Sequence, residues 1–239
     1  MDKREGMADS YSSSEFEQTA GDSTANLQWL NRTKITSRWG YQLVKRLFDI
    51  FASLCGLIIL APVFLIIALL IKLDDPQGPV FFSQIRVGQD GQKFRMYKFR
   101  SMCVNAEAKL ASLMAKNEVD GAMFKMKHDP RVTKIGHFIR KTSIDEFPQL
   151  LNVLLGHMSL VGPRPPLPRE VAEYTSYDRQ RLLVKPGCTG LWQVSGRNDV
   201  GFQEMVDLDI RYIRQSGIKF DLQIIWSTVA IIFHPNGAY

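Results

Sequence analysis

The sequence predicts a mainly helical α+β protein with a membrane-inserted helix near its N-terminus. The first observation is a run of 22 residues, Ile50 to Ile71, that contains no charged side chain. The second is a pair of short β-favouring runs after it, and the third is a series of amphipathic stretches in the rest of the chain. Because 45% of the 239 residues are hydrophobic and only 23% are charged, a globally disordered chain is excluded.

Charge is unevenly distributed along the chain. Lys and Arg total 30 against 24 Asp and Glu, and residues 1–33 hold 3 of the basic and 6 of the acidic side chains. The tail is therefore acidic and the body strongly basic. A basic body suits a polyanionic partner such as nucleic acid, anionic lipid or a diphosphate, and charge alone does not choose among them.

The charge-free run predicts membrane insertion. As a helix it would measure roughly 33 Å, which is long enough to cross the hydrocarbon core. Pro62 lies near its middle, where it removes a backbone donor and predicts a kink. Basic side chains lie on both sides of the run, so the positive-inside rule gives no orientation. On these grounds a re-entrant helix with both ends in the cytoplasm and a kinked spanning helix are equally supported.

The remaining elements follow from local pattern. Val80–Val87 and Phe94–Phe99, separated by Gly88, Asp90 and Gly91, predict a β-hairpin. We expect helical stretches at residues 104–118, 149–160 and 169–184. Gly187, Gly190 and Gly196 predict a loop around Trp192. The apolar segment Leu222–Phe233 is too short to span a membrane and predicts a core or interfacial helix.

Asp145 and Glu146 are adjacent carboxylates with two interpretations. Ser143 and Glu146 have the spacing of a capping box, which would make them structural. The second interpretation is compatible with the first: a helix N-terminus would lower the pKa of Asp145 and keep it ionised as a nucleophile. Two carboxylates would repel a diphosphate unless cations lay between them. Glu146 could hold a magnesium ion for this purpose, because hard oxygen ligands suit this metal.

Basic side chains near the carboxylates are candidate phosphate ligands. Arg164 lies between two prolines that would aim its guanidinium at phosphate oxygens, although a surface arginine in a turn has the same pattern. Lys98 and Arg100 alternate with aromatic residues, and the alternative is that they form the solvated face of the hairpin. Arg140 and Lys141 precede the carboxylates and could compensate their charge.

Six motifs in order resemble the bacterial sugar transferase family, the monotopic phosphoglycosyl transferases. They are Lys45–Asp49 (KRLFD), Gly78–Gly88 (GPVFFSQIRVG), Lys98–Met102 (KFRSM), Arg140–Leu150 (RKTSIDEFPQL), Ser159–Pro165 (SLVGPRP) and Lys185–Asn198 (KPGCTGLWQVSGRN). The resemblance covers about residues 43–239. Each motif alone is weak, whereas their order is specific.

The resemblance implies a reaction. Members transfer a sugar 1-phosphate from a nucleotide diphosphosugar, usually a UDP-sugar, to undecaprenyl phosphate with magnesium, and so begin exopolysaccharide, capsule or glycan assembly. By the match, Asp145 would attack the β-phosphate and release UMP, Glu146 would bind Mg²⁺, and Arg164, Lys98 and Arg140 would surround the phosphates. The family's apolar helix is a re-entrant hairpin broken at a Ser-Pro pair, which is Ala61-Pro62 here.

These expectations define the organisation of the chain. Residues 1–40 would be a flexible polar tail, residues 41–75 a kinked membrane anchor, and residues 76–239 a catalytic domain on the cytoplasmic side of the bacterial inner membrane. Trp192, Gln193 and Arg197 are candidates for the nucleotide-sugar site. Homodimerisation stays open, because no sequence feature marks an interface.

Two other functions compete with the transferase. One is a membrane-tethered protein that binds anionic lipid or nucleic acid without catalysis; paired acids among the basic groups disfavour it, and nucleic acid above all. The other is a non-catalytic partner of a polysaccharide-assembly complex, which the intact Asp145–Glu146 pair disfavours.

Overall fold

A computed structural model describes residues 29–114, 126, 129–195 and 201–233. Within them the helices are α1 (Arg32–Thr36), α2 (Trp39–Asp74), α3 (Ala106–Leu113), α4 (Lys134–Lys141), α5 (Gln149–Leu154), α6 (Pro168–Ala172), α7 (Leu191–Ser195), α8 (Phe202–Gln215) and α9 (Ile218–Phe233). The strands are β1 (Phe81–Val87), β2 (Lys93–Phe99), β3 (Ser159–Val161) and β4 (Gly187–Thr189). The predicted mainly helical α+β class is confirmed.

The predicted hairpin is also confirmed. Strands β1 and β2 pair antiparallel from Phe81 with Phe99 to Val87 with Lys93. The turn between them contains Asp90 and Gly91 at φ 53° and 78°, a left-handed conformation that glycine and aspartate tolerate best. A second, parallel pair joins β3 to β4. Both pairs pack beside α5, so the short helix lies between the two sheets.

Helix α2 is the long apolar element that the charge-free run predicts. Its 36 residues correspond to about 54 Å of helix measured along the axis, at 1.5 Å per residue. Among the described residues it is the only helix long and apolar enough to cross a membrane, and only 11% of its most apolar window is buried. A core helix of a soluble protein would be mostly buried, so the exposed apolar face supports association with a membrane. Pro62 lies inside α2 and is exposed.

Both ends of α2 are bound to the same folded body. Near the N-terminal end, Lys45 pairs with Asp221 of α9 at 3.0 Å, and the carboxylate of Asp49 accepts a hydrogen bond from the backbone N–H of Leu160 at 3.0 Å. Near the C-terminal end, the carboxylate of Asp74 accepts a hydrogen bond from the N–H of Ile135 at 3.0 Å.

Apolar contacts also join α2 to the body at more than one place along the helix. Ile67 and Ile71 are buried in a cluster with Phe99 of β2 and Ile139 of α4. Farther toward the N-terminus, Gly56 lies so close to Leu150 that a side chain at this position would touch it. One side of α2 therefore packs on the body both before and after Pro62, while the other side remains exposed.

Several local predictions need correction. Residues 149–160 do not form one helix: α5 ends at Leu154, Gly156 adopts φ 85°, and β3 begins at Ser159. Residues 169–184 form α6 and a separate 3₁₀ helix, Asp178–Leu183. The predicted loop around Trp192 is strand β4 followed by α7. Gly196 and residues 115–118 of the 104–118 stretch lie outside the described residues.

Residues 29–38, within the predicted tail of 1–40, dock on the body. Leu30 packs against two apolar clusters, and its N–H donates to Gln180 at 2.6 Å. The rings of Trp29 and Tyr177 meet edge to face. The side chain of Arg38 donates to Ser216.

Helix α9 combines the two predicted roles of core and surface helix. Ile224 is buried against Tyr212 and Ile213 of α8. On the opposite face, Leu222 and Trp226 are exposed, the latter at 76%. An amphipathic helix with an exposed tryptophan is typical of the membrane interface.

Candidate active site

The two adjacent carboxylates lie in a 3₁₀ turn, Ile144–Glu146, between α4 and α5. The predicted capping box is wrong, because Ser143 adopts φ 56° and its side chain makes no cap hydrogen bond. Instead, its carbonyl accepts a hydrogen bond from the N–H of Glu146 at 3.2 Å. This tight turn packs against both α4 and β2, which brings strand side chains to the carboxylates.

Lys98 of β2 reaches the pair directly. Its ammonium lies 2.6 Å from a carboxylate oxygen of Glu146, and both side chains are partly exposed. The interpretation of Lys98 as a merely solvated hairpin residue is therefore wrong. The ion pair between Lys98 and Glu146 places one cation next to the two adjacent carboxylates, in a site that solvent can enter.

Asp145 is buried, with 7% of its surface exposed. Burial raises the pKa of Asp145 to about 6; Lys98 and Arg140 counteract this, whereas Glu146 adds to it. The expected lowering of this pKa by a helix N-terminus is wrong, because the turn is too short to supply a helix dipole and desolvation dominates. A carboxylate perturbed in this way in a partly open site is a candidate nucleophile or base.

The other predicted basic residues occupy different places. Arg140 and Lys141 lie in the last turn of α4 and are exposed, and Arg140 is close enough to Asp145 to lower its pKa. Arg100 contacts a different segment, residues 75–79. It forms an ion pair with Asp75 and donates to the backbone carbonyls of Asp75 and Pro79 at 2.7 and 2.6 Å, so it fixes the segment that leaves α2.

Arg164 lies in a loop with fixed backbone carbonyls. Four consecutive carbonyls, of residues 163–166, accept hydrogen bonds from the N–H of Gly187, the side chains of Arg181 and Arg86, and the N–H of Val87, at 2.9, 3.3, 3.0 and 2.9 Å. The three prolines of this loop have no N–H to satisfy. Such a loop holds its one cationic side chain in a defined direction.

Glu170 holds the side chain of Arg164. Its carboxylate accepts from the Arg164 guanidinium at 3.2 Å and from the N–H of Leu167 at 2.8 Å, and it is 2% exposed. The Arg164 guanidinium itself remains partly exposed. This arrangement favours the interpretation of Arg164 as an oriented cation over that of a free surface arginine.

Arg86 connects this loop to the carboxylates. Its side chain is buried, and burial lowers its pKa to about 10; the cations of Arg164 and Arg169 lower it as well, whereas Glu170 and Glu146 raise it. Arg86 therefore lies within electrostatic range of both Glu146 and Arg164, and it is bound directly to the Arg164 loop through the carbonyl of Pro165. Lys98 and Arg86 thus add positive charge near Glu146, as binding of anionic phosphates would require.

The candidate nucleotide residues lie on or beyond α7. Trp192 and Gln193 are half-buried, and the indole N–H and amide oxygen have no hydrogen-bond partner within the described part of the chain. Arg197 lies outside the described residues.

A metal ion at this site would rest on few protein ligands. Among the described residues there is no group of three or more His, Cys, Asp or Glu side chains. Mg²⁺ keeps several waters and is usually bound by one or two carboxylates together with substrate phosphates. The partly exposed Glu146 beside Asp145 fits such a shared site, whereas it would not fit a closed zinc or calcium cage.

Comparison with known proteins places the chain in a family. The family model for bacterial sugar transferases matches residues 40–235, which include all of α2 except its first residue, the carboxylate turn and the Arg164 loop. The chain belongs to the bacterial sugar transferase family. The match includes all six motifs that carry the resemblance.

Curated relatives of this bacterial sugar transferase share much of the chain. It is 48% identical over 202 residues to the galactosyl transferase CpsE of Streptococcus agalactiae, covering 84% of this chain and 44% of CpsE. It is 44% identical over 213 residues to the undecaprenyl-phosphate galactose phosphotransferase of Salmonella typhimurium, covering 87% and 44%. It is 40% identical over 201 residues to the exopolysaccharide production protein ExoY of Rhizobium meliloti, covering 82% and 88%. The chain thus spans less than half the length of the first two.

Sequence reasoning missed three residues that build this sugar transferase's site. Arg86 and Glu170, described above, position the Arg164 loop. Asn152 is fully buried; its amide donates to the carbonyl of Arg95 at 2.7 Å and accepts from the N–H of Tyr97 at 2.9 Å. A polar amide within the apolar pattern of α5 was the available signal for Asn152. No local pattern marked Arg86 or Glu170.

Proposed function

We propose that the chain is a phosphoglycosyl transferase that moves a hexose 1-phosphate from a UDP-sugar to undecaprenyl phosphate, releases UMP and so begins exopolysaccharide, capsule or glycan assembly. The observation that carries this proposal is the buried Asp145 next to Glu146, with the ammonium of Lys98 2.6 Å from Glu146. The names of the relatives, which include a galactose phosphotransferase acting on undecaprenyl phosphate, support the substrate class.

The proposed reaction has two displacements at one phosphorus atom. A carboxylate oxygen of Asp145 attacks the β-phosphorus, the bond from this phosphorus to the bridging oxygen breaks, and UMP leaves with the electron pair. An oxygen of undecaprenyl phosphate then attacks the same phosphorus, and the bond to Asp145 breaks to restore the carboxylate. The covalent intermediate allows two anionic substrates to be handled in turn.

Basic side chains would hold the phosphates during both displacements. Arg164, fixed by Glu170 and its proline-rich loop, has the bidentate geometry that phosphate oxygens accept. Lys98 keeps Glu146 oriented, and Arg140 adds positive charge near Asp145. Glu146 would hold Mg²⁺, which, when bound, neutralises charge on the diphosphate.

The location of the reaction follows from α2. Because both ends of this helix contact one body, we propose a re-entrant anchor that leaves the catalytic domain on a single side of the bacterial inner membrane. UDP-sugars are cytosolic, so that side would be the cytoplasm. The acceptor phosphate lies at the bilayer surface. An enzyme anchored there keeps its active site close to this substrate.

Release of UMP tests the reaction. Purified protein in detergent, with Mg²⁺, undecaprenyl phosphate and a panel of UDP-sugars, should release UMP with one or more of the sugars. Asp145→Asn should reduce the rate by at least about a thousandfold, because it removes the nucleophile. Glu204→Gln, an exposed carboxylate on α8, is the matched control and should leave the rate unchanged.

The covalent step has its own readout. Protein quenched in acid after mixing with a UDP-sugar labelled at the β-phosphate should carry the label in a bond that hydroxylamine cleaves, as an acyl phosphate does. No UMP with any sugar would favour the non-catalytic alternatives. UMP release without a trapped label, or full activity in Asp145→Asn, would refute the aspartyl intermediate.

A further inference from the structure

A second cationic site lies where the anchor helix meets the end of α5. Gly156 adopts φ 85° there and has no side chain. The position that a Cβ would take on Gly156 is 3.2 Å from the guanidinium of Arg46 and 3.7 Å from the ammonium of Lys185. Two cations thus border a space that any other residue would fill. Neither Gly156 nor Lys185 contributes to the carboxylate site.

Arg46 is held in place by the body. Its guanidinium donates to the carbonyls of Val153 and Leu154 at 2.6 and 2.9 Å, so it caps the C-terminal end of α5. Its position along α2 is informative, because it lies four residues, about one helical turn, before Ile50, where the charge-free run begins. If that run enters hydrocarbon, Arg46 lies at the level of the lipid headgroups.

Lys185 is half-buried next to this arginine. In the part of the chain that the structure describes, its ammonium makes neither a hydrogen bond nor an ion pair. Burial lowers the pKa of Lys185 and Arg46 lowers it further, whereas the nearby Asp49 raises it. One oxygen of Asp49 also accepts a hydrogen bond from the N–H of Leu160. Asp49 supplies one negative charge against the two positive charges of Arg46 and Lys185, so a second anion would complete the compensation of these partly desolvated cations.

The surroundings of the site are apolar. Leu151 of α5, Leu155 directly after α5, and Leu47 of α2 are exposed. Exposed leucines beside a pair of cations match a molecule with a phosphate and acyl or prenyl chains. A soluble anion would need only the cations and would leave the leucines in water.

We propose that Lys185 and Arg46 form a binding site for the phosphate of a membrane lipid, at Gly156 and outside the Asp145 site. The phosphate could come from a phospholipid such as phosphatidylglycerol or from the polyprenyl phosphate. The site requires only that α2 be in the membrane and does not depend on the proposed reaction.

Lipid binding to the Asp145→Asn variant tests the proposal without catalysis. The full chain in detergent is titrated separately with phosphatidylglycerol, a short-chain polyprenyl phosphate and phosphatidylcholine, and bound lipid is counted by native mass spectrometry. Adding Lys185→Gln should weaken binding of the anionic lipid about tenfold, the loss expected for one charge-assisted hydrogen bond. Lys185→Arg should restore it, and the exposed Lys93→Gln should have no effect.

The two lipid titrations identify the source of the phosphate. A loss confined to polyprenyl phosphate assigns the site to the acceptor, and Lys185→Gln in the otherwise native chain should then raise KM for the acceptor but not for the UDP-sugar. A loss confined to phosphatidylglycerol assigns it to phospholipid, and a loss shared by both lipids shows that the site accepts the phosphate of either. Unchanged binding of both, or an equal loss in Lys93→Gln, would overturn the proposal. Removing one of two adjacent cations relieves repulsion, so the variant should remain folded.

Discussion

At the scale of the residue, burial of Asp145 places function and stability in opposition. Its carboxylate is buried, and the nearby cations of Lys98 and Arg140 compensate its charge only in part. The pKa of Asp145 is therefore raised to about 6. An unfolded aspartate titrates near 3.9. Ionisation is therefore less favourable in the folded protein, and this cost disappears if the residue cannot ionise.

Asp145→Asn should stabilise the metal-free protein while it abolishes activity. Below about pH 4 both states of the wild type hold the proton, and the substitution should change little. As pH rises from 4 to 6 the unfolded state loses its proton first, so the wild type loses stability relative to the variant. Above pH 6 the difference should be constant at about 3 kcal/mol.

Thermal unfolding in detergent with a chelator, from pH 4 to 8, measures this difference. Glu204→Gln provides the baseline for removing an exposed carboxylate. A variant no more stable than the wild type at pH 7 would mean that Asp145 is not desolvated as the structure indicates.

At the scale of the element, the site depends on how α5 is joined to β2. Asn152 replaces a missing strand partner, because its amide satisfies one donor and one acceptor on the backbone of β2. Lys98 follows Tyr97 directly, so the same pair of hydrogen bonds sets the position of the ammonium near Glu146. Stability and site geometry are therefore coupled through one buried side chain.

Asn152→Leu should lower the free energy of unfolding by about 2–4 kcal/mol, because it leaves a backbone N–H and a carbonyl unpaired. UMP release should fall as well, since Lys98 is no longer held at Glu146. Urea unfolding in detergent and the UMP assay measure the two effects. Gln92→Leu also replaces a side-chain amide by leucine, but at an exposed position, and should stay within about 0.5 kcal/mol of wild type. Equal losses in both variants would contradict the role of Asn152.

Local pattern predicted the elements whose causes are local. The hairpin was predicted because β-favouring runs flank the turn residues Gly88, Asp90 and Gly91, and α2 because no charge interrupts 22 residues. Prediction failed where two short elements share one apolar pattern. Residues 149–160 read as one helix, yet Gly156 reverses the chain and β3 then pairs with β4, almost thirty residues away.

The carboxylate site shows the same difference between local features, which the sequence predicted, and features that depend on distant residues, which it did not. Adjacent acids and the flanking basic residues were visible in the sequence. The raised pKa of Asp145 was not, because it results from burial among elements that are distant in sequence. Ser143 was misread because its left-handed backbone removes the helix start that the capping box requires. The ion pair of Arg100 was not visible in the sequence, because its partner, Asp75, lies 25 residues earlier in the segment between α2 and β1.

At the scale of the whole molecule, the anchor and body form one structure. Ion pairs and hydrogen bonds tie α2 to the body at Lys45, Asp49 and Asp74. A helix whose two ends lay on opposite sides of a bilayer could not make all these contacts with a body on one side. The basic groups on both flanks agree with this arrangement.

Both flanks of α2 should therefore be accessible from the cytoplasm. Single cysteines at the exposed Gln42 and Gln77 should react with a membrane-impermeant maleimide in inverted vesicles but not in intact cells. The unsubstituted chain, whose three native cysteines are half-buried, gives the background. Opposite accessibility of the two positions would establish a spanning helix and contradict the contacts of α2.

The ion pair between Lys45 and Asp221 also has a consequence for biosynthesis. These residues are 176 positions apart, so the ribosome makes the anchor long before it makes the helix that holds the anchor's first turns. At about 5–20 residues per second the interval is roughly 10 to 35 s. During that time α2 is an apolar nascent segment without its native partners. Membrane insertion of α2, as proposed above, would therefore begin before its final depth and tilt are set, and α9 completes the placement only after it has been synthesised.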